Sequence, residues 1–234
     1  MIPKLLVRTV PRVRTDRMED LWEGAKRLHP GWDFVTLGCD PPSGRRIALV
    51  SIEGPCGTET GLGGFPLTDS VWGEVESGAQ LADLVRLEFL WRHGGVYIDS
   101  DVWCLRPFDS LLGLAGFAGW ENPDHVCNAV MGFRAGHPAV KEALRLSVDR
   151  VSLGTQVGGV GAFEDVVKGR DDMVLFPPGA FYPVTYHQIH VGHPWGQPDV
   201  VLPPVDWDAV PAENPWAFCV HEYAQSWAGE RVDG

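Results

Sequence analysis

The reading of this chain turns on Leu81-Ala82-Asp83-Leu84-Val85-Arg86-Leu87-Glu88-Phe89-Leu90-Trp91-Arg92-His93-Gly94-Gly95-Val96-Tyr97-Ile98-Asp99-Ser100-Asp101. Its first part predicts a mostly apolar helix from about Ala79 to His93, stopped by Gly94-Gly95 because glycine tolerates the left-handed backbone that ends helices. Val96 to Asp99 then reads as a buried strand. A helix feeding a strand through a glycine turn suits an α/β sheet. Beyond Ile98 the apolar run gives way to carboxylates. Strand alternation predicts Asp99 and Asp101 on one side and Ser100 on the other, with α-carbons roughly 7 Å apart if extended. Open α/β sheets bind ligands beyond the carboxyl ends of their strands, so the two acids are placed to share an ion there. Carboxylates with open coordination positions suit hard cations such as Mg²⁺ or Mn²⁺, which bridge phosphate oxygens and offset the charge of a departing diphosphate.

Working outward, Lys4 to Val10 reads as a first strand, Met18 to Leu28 as a helix and Asp33 to Leu37 as a second strand. Gly and Pro dominate Asp40 to Ser70, where only Ile47 to Ile52 has strand character, so loops are expected there. Downstream the alternation continues with a strand at Ala129 to Phe133, a helix at Pro138 to Arg150 and a shorter helix at Ala162 to Lys168. After Asp171 the chain turns Pro- and aromatic-rich through Trp216, an irregular stretch of the kind that forms lids and substrate platforms. The expectation is one α/β domain over residues 1–234.

Composition narrows the function. The chain is 44% hydrophobic and 21% charged, within globular usage and away from disorder. A formal net charge of −12 without a basic run excludes a nucleic-acid binder, since phosphate would be repelled. The same acidity means that a diphosphate ligand needs a cation or an arginine to reverse the local sign. Apolar runs such as Ile47-Ala48-Leu49-Val50 are too short to span a bilayer, and Arg8 interrupts Leu5-Leu6-Val7 before a signal core forms. Five cysteines without a CxxC pair argue against a disulfide framework, so a cytoplasmic location is expected.

Other motifs carry less. Asp83 and Arg86 share a helix face, and alone they read as a pair that satisfies each other or nearby backbone. A DxD alone reads as turn residues. Joint occurrence of the two is the stronger signal. His187-x-x-His190-x-x-His193 is read as a loop cluster rather than a zinc site, and Gly158-Gly159-Val160-Gly161 as a turn before the helix around Phe163, since it lacks the Lys-Ser/Thr of a phosphate loop. Glu121, after an expected strand end, is an acid/base or acceptor-orienting candidate set against the commoner case of a surface glutamate.

Asp83-x-x-Arg86, then Gly94-Gly95-Val96-Tyr97-Ile98-Asp99-Ser100-Asp101-Val102 and Leu105-x-Pro107, resembles the DXD sugar-binding region of family 32 glycosyltransferases and of the related glucosylating toxins. Ile2-Pro3-Lys4 is similar to that family's opening strand. Asn128-Ala129-Val130-Met131 with Gly136-His137-Pro138 is similar to its central segment, and His221 through Ser226-Trp227 to its closing motif. Val7-Arg8-Thr9-Val10 stands where the family usually has a His-Gln-x-Trp-like segment, which leaves the nucleobase open.

The resemblance implies a GT-A fold: a mixed, mostly parallel central sheet flanked by helices. It also implies a UDP- or GDP-sugar donor, a divalent metal (Mn²⁺, or Mg²⁺) and transfer with retention to a glycan, lipid-linked or protein acceptor. By the same resemblance Asp83 and Arg86 hold donor-sugar hydroxyls, with Asn128 and Ser100 also lining the substrate site. Asp99 contacts ribose or sugar and joins Asp101 and His221 as metal ligands, while Ser226 and Trp227 close over the diphosphate. Two rivals share the pocket: a metal-dependent hydrolase using the same acids to activate water, and a catalytically inactive nucleotide-sugar-binding module.

Overall fold

A computed structural model describes residues 1–11, 13–39, 49–54, 57–62, 64–189 and 205–224. The chain runs β1 (Leu5–Val10), α1 (Asp16–Leu28), β2 (Asp33–Gly38), β3 (Leu49–Gly54), β4 (Gly57–Leu62), α2 (Pro66–Ser70), α3 (Gly78–His93), β5 (Gly95–Ile98), β6 (Val102–Cys104), β7 (Gly116–Trp120), β8 (Val126–Phe133), α4 (Pro138–Asp149), α5 (Gly161–Val167), β9 (Val174–Phe176), α6 (Tyr186–Ile189), α7 (Val210–Glu213) and β10 (Cys219–His221). Eight strands form one sheet in the order β4-β3-β2-β1-β5-β8-β7-β9. Parallel pairing of β1 with β2 and β5, and of β7 with β9, leaves β3 and β8 as the strands that run against the rest. The sheet is therefore mixed and mostly parallel, as expected.

Both sheet faces are covered, which is why its central strands are apolar at successive positions. Val7, Val35, Tyr97 and Met131 pack with α3 and α4 on one face, whereas Leu6, Phe34, Val96 and Val130 face Trp22 and Ala25 of α1 on the other. α1 turns Met18, Leu21, Trp22 and Ala25 inward at helical spacing, and the Thr15 side chain caps it by accepting from Met18 N. α3 is different: every residue from Gln80 to Leu90 is buried, so this helix runs through the interior with no solvent face. Ser77 caps its start, and Gly94 ends it at φ +70° with its N–H on Leu90 O. Gly95 follows at φ +117°, where a Cβ would lie 2.7 Å from Leu5 O of the adjoining β1. The two glycines let α3 turn directly into the sheet.

Several expectations change. Asp40 to Ser70 is not mostly loop, because β3 and β4 form an antiparallel hairpin on the sheet edge and α2 follows. Cross-strand pairing supplies an order that the Gly- and Thr-rich local sequence does not signal. The irregular stretch after Asp171 contains β9, α6 and α7. Asp99 and Asp101 do not continue β5: the strand ends at Ile98, and Val102 N donates to Asp99 O at 3.1 Å, so the two acids sit in a tight turn between β5 and β6.

Candidate active site

β6 leaves that turn and pairs antiparallel with β10, His221 opposite Val102. This two-stranded ribbon brings a histidine from far along the chain onto the two aspartates. Asp101 anchors the arrangement: its carbonyl accepts Glu222 N at 2.9 Å, and its Oδ2 accepts Ala224 N at 2.8 Å. The other carboxylate oxygen, Oδ1, lies 3.2 Å from His221 Nε2. Asp99 is divided in the same way. Its Oδ1 accepts the Tyr97 hydroxyl at 2.6 Å and lies 3.1 Å from Arg86 Nη1, while Oδ2 faces His221 Nε2 at 3.9 Å. One oxygen of each aspartate is thus fastened by the protein and the other is presented to the imidazole.

Behind the turn lies a buried polar cluster built on α3. Arg86 Nη2 is 3.3 Å from Asp83 Oδ1, Nη1 donates to Asn128 O at 3.3 Å, and Nε donates to Ala82 O at 3.1 Å. Asn128, on β8, donates from Nδ2 to Asp83 Oδ1 at 2.9 Å. The guanidinium also stands 4.5 Å from the centre of the Tyr97 ring, a cation–π contact. Tyr97 receives a hydrogen bond from the Thr9 hydroxyl at 2.6 Å and passes its own proton toward Asp99. Thr9, Tyr97, Asp99, Arg86, Asn128 and Asp83 therefore form one connected network reaching from β1 to α3.

Charge states follow from this packing. Burial pushes Asp83 up to about 6, although Arg86 and Asn128 pull the other way. Asp99 is also raised by burial, against the pull of Arg86. Arg86 pays for desolvation, yet Asp99, Tyr97 and Asp83 outweigh it and hold the guanidinium charged. For Asp101 burial is outweighed by His221 and the Ala224 amide, so its carboxyl falls below the usual range. His221 is raised: burial opposes the imidazolium, and Asp101, Asp99 and Glu121 overcome it. Two converging carboxylates that stabilise the protonated form of the imidazole mark a place where positive charge is electrostatically favoured.

Of the residues expected from sequence, the structure brings Asp83, Arg86, Asp99, Asp101, Asn128 and His221 together, with Ser100 buried in the turn between the aspartates. Asp83, Arg86 and Asn128 are all at least 96% buried and are linked to one another, with Arg86 reaching on to Asp99. Ser226 and Trp227 lie outside the described residues, as do His190 and His193. Glu121 is not a remote surface glutamate, because it is half-buried and its charge reaches both Tyr223 and His221. Tyr223 itself was not anticipated: its ring lies 4.1 Å from that of His221, and it holds φ +49°, a left-handed conformation uncommon for a bulky residue. Gly158-Gly159-Val160 is a π-helical turn (Gln156–Val160) running into α5, not a simple loop turn, and Gly159 lies against Asp83.

The donor atoms of Asp99, Asp101 and His221 lie within 4.8 Å of one another. Two free carboxylate oxygens and one imidazole nitrogen, on groups otherwise tied down, fit a divalent cation by number and type.

With this geometry in hand, comparison with known proteins is direct. Residues 67–117 match the family described as "glycosyltransferase sugar-binding region containing DXD motif". Inositol phosphoceramide mannosyltransferase 3 of Schizosaccharomyces pombe is 28% identical over 153 residues, 62% of this chain and 36% of that protein. Mannosyl phosphorylinositol ceramide synthase SUR1 of Saccharomyces cerevisiae is 42% identical over 149 residues, 62% of this chain and 34% of that protein. The matched part thus spans about a third of these relatives' length. Among solved structures, PaToxG glycosyltransferase superposes with a TM-score of 0.55 at 16% identity, over 71% of this chain and 68% of that one. α3, the Gly94-Gly95 turn, β5 and the Asp99-Ser100-Asp101 turn all fall inside the matched region, so the stretch that the sequence resemblance singled out is the one similar to the DXD-containing sugar-binding region, and it sits on a GT-A fold.

Proposed function

We propose that residues 1–234 act as one GT-A domain that transfers a sugar, with retention, from a UDP- or GDP-linked donor to an acceptor, in a reaction requiring Mn²⁺ or Mg²⁺. The observation that carries this reading is the convergence of Asp99 Oδ2 and Asp101 Oδ1, inside the matched sugar-binding region, with His221 Nε2 from β10. A divalent ion bound there supplies positive charge to the diphosphate of the donor. Imidazole among the ligands favours Mn²⁺ over Mg²⁺.

The protein's own residues do the rest. Ala224 N holds Asp101, and Tyr97 with Arg86 holds Asp99, so the two free oxygens keep their aim without reorganisation when a ligand arrives. Arg86 adds a fixed cation behind the turn in a chain that is otherwise strongly acidic. Tyr223 lies beside His221 and the charge of Glu121 reaches both, and the role proposed for this pair is to orient an acceptor hydroxyl. The names of the yeast relatives support mannose as the first sugar to test and a lipid-linked acceptor before a glycan or protein.

The test is a panel of UDP- and GDP-sugars, nucleotide-linked mannose included, followed by thermal shift and nucleotide release with and without Mn²⁺. At a hundredfold excess over Kd a true ligand stabilises the fold by about 2.7 kcal/mol. Asp101→Asn is expected to abolish the Mn²⁺-dependent shift and the turnover while leaving the unliganded protein folded. Binding without turnover would instead point to an inactive sugar-nucleotide module, and bond cleavage without a donor to a hydrolase.

A further inference from the structure

The Asp83 carboxylate has two unlike sides. Its Oδ1 is taken by Asn128 Nδ2 at 2.9 Å and Arg86 Nη2 at 3.3 Å, while Oδ2 points at Gly159 in the π-helical turn. A Cβ on Gly159 would lie 2.7 Å from Asp83 Cγ and 3.2 Å from its Cβ, and would overlap Oδ2. The 2.7 Å approach is shorter than real carbon contacts and the 3.2 Å one is tight, and the obstacle is a short, doubly tethered side chain rather than the loose end of a long one. Gly159 is not among the glycines with positive φ. Its backbone is one that any residue adopts, so the need for glycine comes from the carboxylate and not from the turn. The turn has the wide i to i+5 geometry that recurs at functional sites, and both Gly158 and Gly159 are buried in it.

We propose that Gly159 is a positioning residue: by carrying no side chain it seats Asp83 against the π-helical turn and thereby fixes Arg86 and, through Arg86, Asp99. The link runs through single atoms. Asp83 Oδ1 engages Nη2 of the guanidinium, and Nη1 of the same group engages Asp99 Oδ1 at 3.1 Å. Displacing Asp83 from its seat tilts the planar guanidinium, and the tilt moves the fastened oxygen of Asp99, so the free oxygen loses its aim at His221. The effect on donor binding rests on the transferase reading above, whereas the packing link between Gly159 and Asp83 does not.

Three variants test this: Gly159→Ala, Asp83→Ala, and the two combined. Gly159→Ala is expected to lower Tm and, measured well below that Tm, to weaken Mn²⁺-dependent binding of UDP or GDP about tenfold. Asp83→Ala removes the carboxylate and leaves only its Cβ, 3.2 Å from the new methyl, so adding Gly159→Ala to it is expected to lower Tm far less than in the wild type and to weaken affinity no further. Equal cost of the alanine in both backgrounds would overturn the proposal, since the glycine would then serve the turn itself. So would a Gly159→Ala protein with wild-type Tm and affinity, or one with a lowered Tm that depends on Asp83 but with unchanged nucleotide affinity. If neither nucleotide binds even the wild type, it is the donor-site reading that fails, and the Tm cycle still decides whether Gly159 acts through Asp83.

Discussion

Asp83 and Glu88 stand five residues apart on the same interior helix, both almost completely buried, yet they serve different ends of the molecule. Glu88 accepts from Leu67 N at 3.1 Å and from Thr68 N and Thr68 Oγ1 at 2.8 Å each, all neutral donors at the start of α2. It is a long-range helix cap, doing from a neighbouring helix what a local Asp or Ser usually does. Asp83 instead shares a buried guanidinium with Asp99 at the tip of β5. A buried acid is therefore no sign of chemistry in itself. What separates the two carboxylates is whether their partners lead back to the strand end where Asp99, Asp101 and His221 converge.

The sharpest test of that contrast removes the shared cation. Arg86→Met leaves Asp83 and Asp99 buried without their counter-charge, and is expected to cost roughly 3–5 kcal/mol in urea unfolding and to abolish transfer. Unchanged stability would mean that the cluster is not the electrostatic unit described above. Glu88→Ala comes next. Leu67 N and Thr68 N lose their acceptor, for an expected loss of about 1–3 kcal/mol, while the folded protein keeps its Mn²⁺-dependent nucleotide affinity. A drop in that affinity would erase the distinction between the two ends of α3. Smallest is Tyr97→Phe, which deletes only the hydroxyl between Thr9 and Asp99. About 1 kcal/mol of stability should go, with an affinity loss of roughly fivefold, read by calorimetric titration of Mn²⁺ and nucleotide.

The sequence made the centre of this molecule readable and its periphery much less so. α3, the Gly94-Gly95 stop and β5 follow from local rules, since apolar periodicity and a glycine pair leave few alternatives. The strand read at Ile47 to Ile52 falls on β3, but its hairpin partner β4 did not follow, because the order of that Gly- and Thr-rich strand comes from pairing rather than from side chains that favour strands. Asp99 and Asp101 were found as a pair, but strand alternation was carried three residues past Ile98, where the chain already turns. His221 came only by resemblance, because nothing near it in sequence announces that β10 will pair with β6. Gly159 was read as part of an ordinary turn. A glycine required by a partner more than seventy positions away carries no local mark, and only the contact with Asp83 reveals it.

The β6–β10 ribbon has a consequence for how the protein comes into being. The last strand of the eight-stranded sheet is β9, so a growing chain has that whole sheet in hand while β10 is still unmade. Until His221 leaves the ribosome and docks beside Val102, the two aspartates are an incomplete claw. A nascent chain stalled after β9 would have its scaffold and both aspartates, and the imidazole that completes the three-residue cluster arrives in one late step.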